Sequence, residues 1–582
     1  MRFKRIIIHQ FLIVSCFLSW TTTGVASSTS ASTSNSASTP STPITPITSS
    51  TSAYPPLYYW VSFTDKTGTP FSLTRPDEFL SSRSIERRIR QGIPLDEADL
   101  PVNPAYVDGL LSDTTVVVYY VSRWMNGALV RAPNEHSISR VGQLPFVEST
   151  MEVKPDLTGA QAQSPFSTKF SGIQGVEGFV GPDYGDSRQQ IEQLNGQYLH
   201  AMDFVGQGMH IAVLDAGFLN VDQLWTFESM RTEGRLLGVR DFVDLQGDPF
   251  RGHPHGMSVL SVMAADSPGQ LMGTAPGASY WLLRTEDGSS EYIIEEYNWL
   301  AAVEFADSAG VDIINSSLGY TRFDDPEQDH TYESLDGQTT VVSRAANMAF
   351  ERGMLVVNSA GNYGAQDWRY IGAPADAPGA LAVGAVTAEG IRTDWSSVGP
   401  SSDGRLKPDV MAKGQQVGAI NAFNGTSMVN GTSFSSPLVA GMAACLWQKY
   451  PMLGAADIKM VIKRSASKFG SPDNLMGQGI PDFRKASKIL EALDGQQSVM
   501  ILPNPLQTHS SIEFISDVSD RVDVYMVNMK GEVVYQVTDL QVFEGFNGLR
   551  PFSGISHLPA GVYLVRLASV RLNELLKVMI VD

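Results

Sequence analysis

Between residues 184 and 493 the chain alternates short apolar runs with longer stretches of helical spacing. HIAVLDAG, GASYWLLRT, VDIINSSLG, GMLVVNSAGN and ALAVGAV are predominantly apolar, the pattern of strands covered on both faces. EEYNWLAAVEFADSAG, TTVVSRAANMAFERG and SFSSPLVAGMAACLWQKYP have the length and spacing of helices. The alternation predicts an α/β domain over 184–493, a parallel sheet with helices on both faces. The flanks read differently. Residues 57–153 predict a small α+β domain, with strands in LYYWVSF and TTVVVYYVS. Between them a helix is predicted from Pro76 through PDEFLSSRSIERRIRQ, its basic face made by Arg83, Arg87, Arg88 and Arg90. From 494 to 582 the segments SSIEFISD, RVDVYMVN, EVVYQVTD, GVYLVRLA and LLKVMIV alternate between Asn, Gly and Pro turns, which predicts an all-β sandwich.

Composition adds the edges of this plan. Residues 27–56 are almost only Ser, Thr, Pro and Ala, a linker that cannot bury a core, and 154–183 reads as a Gly-, Ser- and Gln-rich connector. Residues 1–26 have a basic start, an apolar run and a small-residue end, the layout of a secretory signal peptide cleaved after Ala26. That run is short and broken by His9 and Gln10, so no permanent membrane span is expected. Ile13-Val14-Ser15-Cys16 loosely resembles a lipoprotein box, but Phe17-Leu18 carries the apolar run past the cysteine. Signal removal leaves Cys445 as the sole cysteine, in the apolar AGMAACLWQ, an inert buried thiol with no partner for a disulfide. A net charge of −19 argues against a nucleic-acid partner, which needs a basic surface.

Three polar residues stand where such a sheet exposes chemistry. Asp215 ends HIAVLDAG at the sheet's carboxyl edge; alone it would be read as a turn residue. His255 opens a small-residue helix in RGHPHGMSVLSVMAAD. The neighbouring His253 does not make a zinc site with it, because no third ligand stands at a recognisable spacing. NGTS occurs twice, in NGTSMVNGTSFSSP over 424–437. After Ser427 the Asn430-Gly431 turn stops any helix, whereas Ser433 precedes a long apolar helix with Pro437 early in it. Ser433 is therefore expected at a strand-to-helix turn, at the positive end of a helix dipole, with its own N–H available to an oxyanion; Ser427 is expected to be scaffold. The bland reading of Ser433 alone is a helix N-cap.

In the order Asp, His, Ser, the segments LDAG, HGMSV and GTSFSSP resemble the subtilisin-like serine proteases, or subtilases. IINSSLG, NSAGN, DGRLKPDVMAKG and GQGIPDF extend the resemblance across most of 184–492. It implies a Ser433 nucleophile, a His255 base, an orienting Asp215, and an oxyanion hole from Asn362 and the Ser433 N–H. It implies substrate-cleft walls at Ser317-Leu318-Gly319 and Ser359-Ala360-Gly361. No cofactor is required for that chemistry. Calcium is a common structural ion of the family, and the acidic loop RFDDPEQDH is a place for it, without assigned ligands.

Ala216, Met257, Lys413 and Phe434 depart from the family's usual residues, none at a proton-transfer group. Residues 57–153 stand where subtilases carry an inhibitory propeptide, with FVESTMEV as its last strand. ILPNP, LPAGVYLVRL and KVMIVD resemble the sorting domain of type IX secretion substrates, which implies export across a Gram-negative outer membrane by that machinery. The expected function is a secreted endopeptidase made as a zymogen and acting on polypeptides. The alternative is a catalytically inactive surface adhesin or scaffold of the same fold. An α/β-hydrolase esterase is excluded by triad order and by the lack of G-x-S-x-G at the serine, and a bacterial sorting domain argues against reading NGT as a glycosylation sequon.

Overall fold

The computed structural model describes residues 57–155 and 183–581 apart from 495–498, 503, 517, 544 and 570. The predicted signal peptide, the Ser/Thr/Pro linker and almost all of the connector lie outside the described residues.

The first domain is built on β1 (Leu57–Phe63), α1 (Ser82–Gln91), β2 (Val117–Ser122), β3 (Gly127–Ala132) and β4 (Val147–Lys154). Its antiparallel sheet has the order β2-β3-β1-β4. The helix expected from Pro76 starts later. Pro76–Glu78 is one 3-10 turn, Leu80 is buried, and Ser81 caps α1 by accepting from the Ser84 N–H.

The second domain carries β5 (His210–Asp215), β6 (Leu236–Asp241), α2 (His255–Ala264), β7 (Ser279–Arg284), α3 (Ile294–Ala309) and β8 (Ile313–Ser316). It continues through α4 (Val341–Glu351), β9 (Leu355–Ser359), β10 (Ala380–Val386), β11 (Val410–Lys413), the hairpin β12 (Val417–Ile420) and β13 (Thr426–Val429), and α5 (Thr432–Lys449). Seven strands form one parallel sheet in the order β11-β10-β9-β8-β5-β7-β6. The apolar character of the strands follows from burial on both faces. Ile211 and Val213 of β5 pack in one layer with Val259 and Met263 of α2 and Leu438 and Met442 of α5. Ala212 and Leu214 pack in the other with Leu300 and Val303 of α3 and Val342 and Ala346 of α4. Helix α5 is buried from Thr432 to Trp447, and Pro437 lies inside it as its sixth residue, so the Ser433 carbonyl lacks an in-helix donor and accepts from Ser317 Oγ instead.

The first domain sits on that second layer. Trp60 stacks on Tyr297 with centroids 4.6 Å apart, and Trp124, Leu129 and Val153 join the same core. Arg87 and Arg88 of α1 are buried, whereas Arg90 is exposed. The buried Asp307 carboxylate accepts from Arg87, from Arg88 at 2.8 and 2.9 Å, and from Arg123 at 2.6 Å. Asp99 joins Arg88 to Arg352, at 2.9 Å each. Burial alone would push the Asp307 pKa up; the surrounding guanidiniums outweigh it and hold the group well below the usual carboxylate range.

The third domain is two antiparallel sheets, β14 (Val499–Leu502), β15 (Ser511–Ser516) and β18 (Gly545–Leu549) against β16 (Asp520–Val527), β17 (Val533–Val542), β19 (Gly561–Ala568) and β20 (Asn573–Ile580). Their orders are β14-β15-β18 and β17-β16-β19-β20, enclosing a core that includes Phe514, Val524, Phe552 and Val565.

Candidate active site

Asp215 is the last residue of β5 and His255 the first of α2, so sheet edge and helix start bring them together. Asp215 is fully buried; its Oδ1 accepts from the Ala216 N–H at 2.8 Å. His255 Nδ1 lies 2.8 Å from Asp215 Oδ1 and 3.0 Å from Oδ2. An ionised carboxylate only accepts, so Nδ1 donates, and the neutral ring keeps its acceptor lone pair on Nε2. Gly256 permits this approach: a Cβ there would stand 2.4 Å from the Gly217 carbonyl oxygen and 2.7 Å from Asp215 Cβ. His253, the second histidine of the motif, accepts from the His255 N–H through Nδ1 at 3.2 Å and thus supports the start of α2.

Ser433 is the second residue of α5, and the ring of the next residue, Phe434, lies 5.7 Å from that of His255. Ser433 Oγ donates to the Ser317 carbonyl at 3.2 Å, and Ser317 Oγ donates to the Ser433 carbonyl at 2.7 Å. Gly431, just before the helix, has φ 148°, a conformation that favours glycine. Asn362 Oδ1 accepts from the Thr432 N–H at 2.9 Å and from Thr432 Oγ1 at 3.0 Å. With its oxygen committed to Thr432, Asn362 presents its NH2 donors beside the first turn of α5.

The two predicted walls continue β8 and β9 and are tied together. Asn358 Nδ2 and Ser359 Oγ donate to the Leu318 carbonyl at 3.0 and 3.3 Å, and Tyr363 OH donates to the Gly319 carbonyl at 2.9 Å. Ala360 and Gly361 are buried beside them. Thr432 and Tyr363 are the positioning residues that sequence reading missed; each adjoins a motif residue, but its partner lies far along the chain. Also missed was Lys154 at the end of β4. Its ammonium reaches Asp287 at 2.9 Å and Ser290 at 3.0 Å, on the loop after β7. Burial would raise the Asp287 pKa, but hydrogen bonds from Ser289 and Lys154 hold it down to about 2.

Ser427 sits in β13 opposite Ala419 and accepts from Asn421 Nδ2 at 3.1 Å, as scaffold of the hairpin. Three acids of RFDDPEQDH are engaged locally: Asp324, Asp325 and Asp329 accept from the N–H groups of Glu291, Glu327 and Phe323. The tight carboxylate cluster is elsewhere, at Glu286, Glu291 and Glu295. Cys445 is buried and its thiol pKa is raised by burial, in keeping with an inert thiol.

Residues 206–479 match the Subtilase family (peptidase S8), 58–168 the peptidase S8 propeptide domain of Bacteroidota, and 500–581 the secretion system C-terminal sorting domain. Subtilisin DY of Bacillus licheniformis is 28% identical over 300 residues, 51% of this chain and 97% of the relative. Subtilisin NAT of Bacillus subtilis subsp. natto is 28% identical over 305 residues, 51% and 70% of the two chains. The thermostable alkaline protease of Halalkalibacterium halodurans is 29% identical over 300 residues, 51% and 73%. A propeptide domain ahead and a sorting domain behind mark a serine endopeptidase made as a zymogen and secreted, or displayed at the cell surface, by a Gram-negative bacterium. The central domain is thus a subtilase domain.

Proposed function

We propose that Ser433 Oγ attacks the scissile peptide carbonyl while His255 Nε2 takes its proton. Asp215 holds His255 in the required tautomer and stabilises the imidazolium. The Ser433 hydroxyl first turns away from the Ser317 carbonyl that it bonds at rest. As the tetrahedral centre forms, its oxyanion accepts from the Ser433 N–H at the start of α5 and from the Asn362 NH2. His255 then returns the proton to the leaving amine, giving an acyl-enzyme, and water repeats the sequence to release the acid. The walls at Ser317–Gly319 and Ser359–Gly361 flank the polypeptide substrate.

The observation that carries this reading is the double contact of His255 Nδ1 with the buried Asp215 carboxylate, with the Ser433 helix adjoining it. A fluorophosphonate probe tests it: the processed enzyme takes one label at Ser433, and Ser433→Ala takes none. A processed wild type that takes no label sinks the reading.

The domain plan that accompanies it is a signal peptide over 1–26, a linker over 27–56, a propeptide over 57–153 and a connector over 154–183. The peptidase follows over 184–493 and a sorting domain over 494–582, read by type IX secretion machinery. Among the described residues no helix is long and apolar enough to cross a membrane. The net charge of −19 argues against a nucleic-acid partner. The chemistry above draws on side chains and backbone alone; calcium enters this proposal only as a structural ion.

A further inference from the structure

Behind the cleft wall lies a cluster that the reaction does not use. Glu286 follows β7, Glu291 precedes α3, and Glu295 stands in the first turn of α3. One carboxylate oxygen from each lies within 4.8 Å of the other two. Glu286 and Glu295 are 3% and 1% exposed. The charges that act on Glu291 and Glu295 are negative: Glu286 on both, Asp324 and Glu296 on Glu291, and Glu291 and Asp287 on Glu295. Two donors relieve Glu286, the hydroxyls of Thr285 at 2.6 Å and Tyr320 at 2.7 Å, both on Oε1. Among the described residues Glu295 has a single hydrogen-bond partner. Its Oε1 accepts from the Asp287 N–H at 2.7 Å, while its Oε2 is buried, out of reach of solvent, with no hydrogen bond. A buried carboxylate oxygen without a donor, facing two more carboxylates, is the arrangement that folding penalises most unless a positive charge joins it. Burial pushes all three carboxyls up, Glu286 to about 8 with a smaller push from Asp215, and Glu291 and Glu295 with a further push from neighbouring glutamates.

We propose that Glu286, Glu291 and Glu295 hold one divalent cation, calcium by ligand class. Calcium takes carboxylate oxygens in flexible geometry, whereas magnesium demands near-ideal octahedral geometry and keeps several waters, so a nearly buried all-carboxylate cluster suits calcium. Glu291 also lines a cavity of about 550 Å³ bounded by Gly319, Tyr363, Asp324 and Asp367, which gives ion and water a route in. The site braces the cleft from behind. Tyr320, hydrogen-bonded to Glu286, directly follows the Gly319 wall, and the Thr285 N–H donates to the Asp215 carbonyl at 3.0 Å. This is a positioning ion and takes no part in bond cleavage.

The full-length chain carrying Ser433→Ala, stripped with a chelator, allows a test without turnover, so the outcome is independent of the nucleophile assignment. Calcium chloride should raise its thermal midpoint by about 3–8 °C at saturation, magnesium chloride by much less. Terbium should bind with sensitised luminescence that calcium displaces. Adding Glu295→Gln or Glu286→Gln should abolish the calcium-dependent shift and leave the metal-free midpoint equal or higher, because an uncompensated charge is gone. Glu291→Gln, at the least buried of the three and least able to disturb folding, should weaken calcium binding at least tenfold. The proposal is overturned if calcium leaves the parent's midpoint unchanged, or if all three glutamine variants keep the full shift. A calcium-indifferent parent that Glu295→Gln nonetheless stabilises points to carboxyls sharing protons, and overturns it equally.

Discussion

The tetrapeptide NGTS is written twice, six positions apart, and the two copies have different surroundings. In the first, Asn424 turns the hairpin with φ 60°, Thr426 Oγ1 donates to Asp186 at 2.5 Å, and Ser427 is one of four residues of β13. In the second, Asn430 Oδ1 accepts from the Gln416 N–H at 2.8 Å, and Gly431 donates to the Gly414 carbonyl at 2.8 Å. There Thr432 grips Asn362, and Ser433 enters α5. The same four residues are scaffold in one place and, in the proposed mechanism, site in the other. The residues that follow decide which: Met-Val continues a strand, whereas Phe-Ser-Ser-Pro opens a buried helix whose N–H groups need partners. A short motif therefore has chemical meaning only together with the element that it begins.

Four substitutions test this contrast. Ser433→Ala should lower kcat by about a millionfold in a peptide-hydrolysis assay, the loss expected when a triad nucleophile is removed. Retained turnover would end the distinction between the copies. Asn362→Leu keeps the volume but removes the NH2 donors; kcat should fall about 100- to 1000-fold with KM little changed. A rise in KM alone would make Asn362 a binding residue instead. Thr432→Val removes one of the two hydrogen bonds that aim Asn362, worth about 1 kcal/mol, so kcat should fall about fivefold. That loss should disappear when Asn362→Leu is already present, as coupled residues require. Ser427→Ala forfeits a bond to Asn421 in the hairpin and should change kcat/KM by less than about twofold. A larger loss would mean that the first copy shapes the cleft.

The layout of the central domain was legible because both sheet faces are buried, which makes strands such as ALAVGAV apolar without alternation and easy to separate from the helices. The proposed triad could be picked out because Asp215, His255 and Ser433 each stand at an element boundary within two residues of a glycine. What escaped was long-range. Arg87 and Arg88 look like part of a solvated basic face until Asp307, some 220 positions on, is brought against them. The start of α1 was set too early because Phe79 and Leu80 keep a helical spacing, while Ser81 offers a better cap. Counting acids drew attention to RFDDPEQDH, where backbone N–H groups absorb the carboxylates. The three glutamates that do converge are spread over a loop and a helix start, with no motif to announce them.

The Asp307 network also has a consequence for the order of events in time. Before processing, residues 57–154 meet the second domain as part of one chain, at an effective concentration set by the tether. A cut between residues 155 and 183 removes that tether and leaves Arg87, Arg88, Asp99, Arg123, Asp307 and Arg352 in contact. Acid does not readily undo the Asp307 contacts. A carboxylate with a depressed folded pKa contributes in full above its ordinary value, and the contribution is lost only as pH falls through the depressed one. The first cut alone is therefore expected to leave the two domains together, with activity appearing after a lag set by the residence time of the severed domain; an activity time course, in which dilution should shorten the lag, checks this.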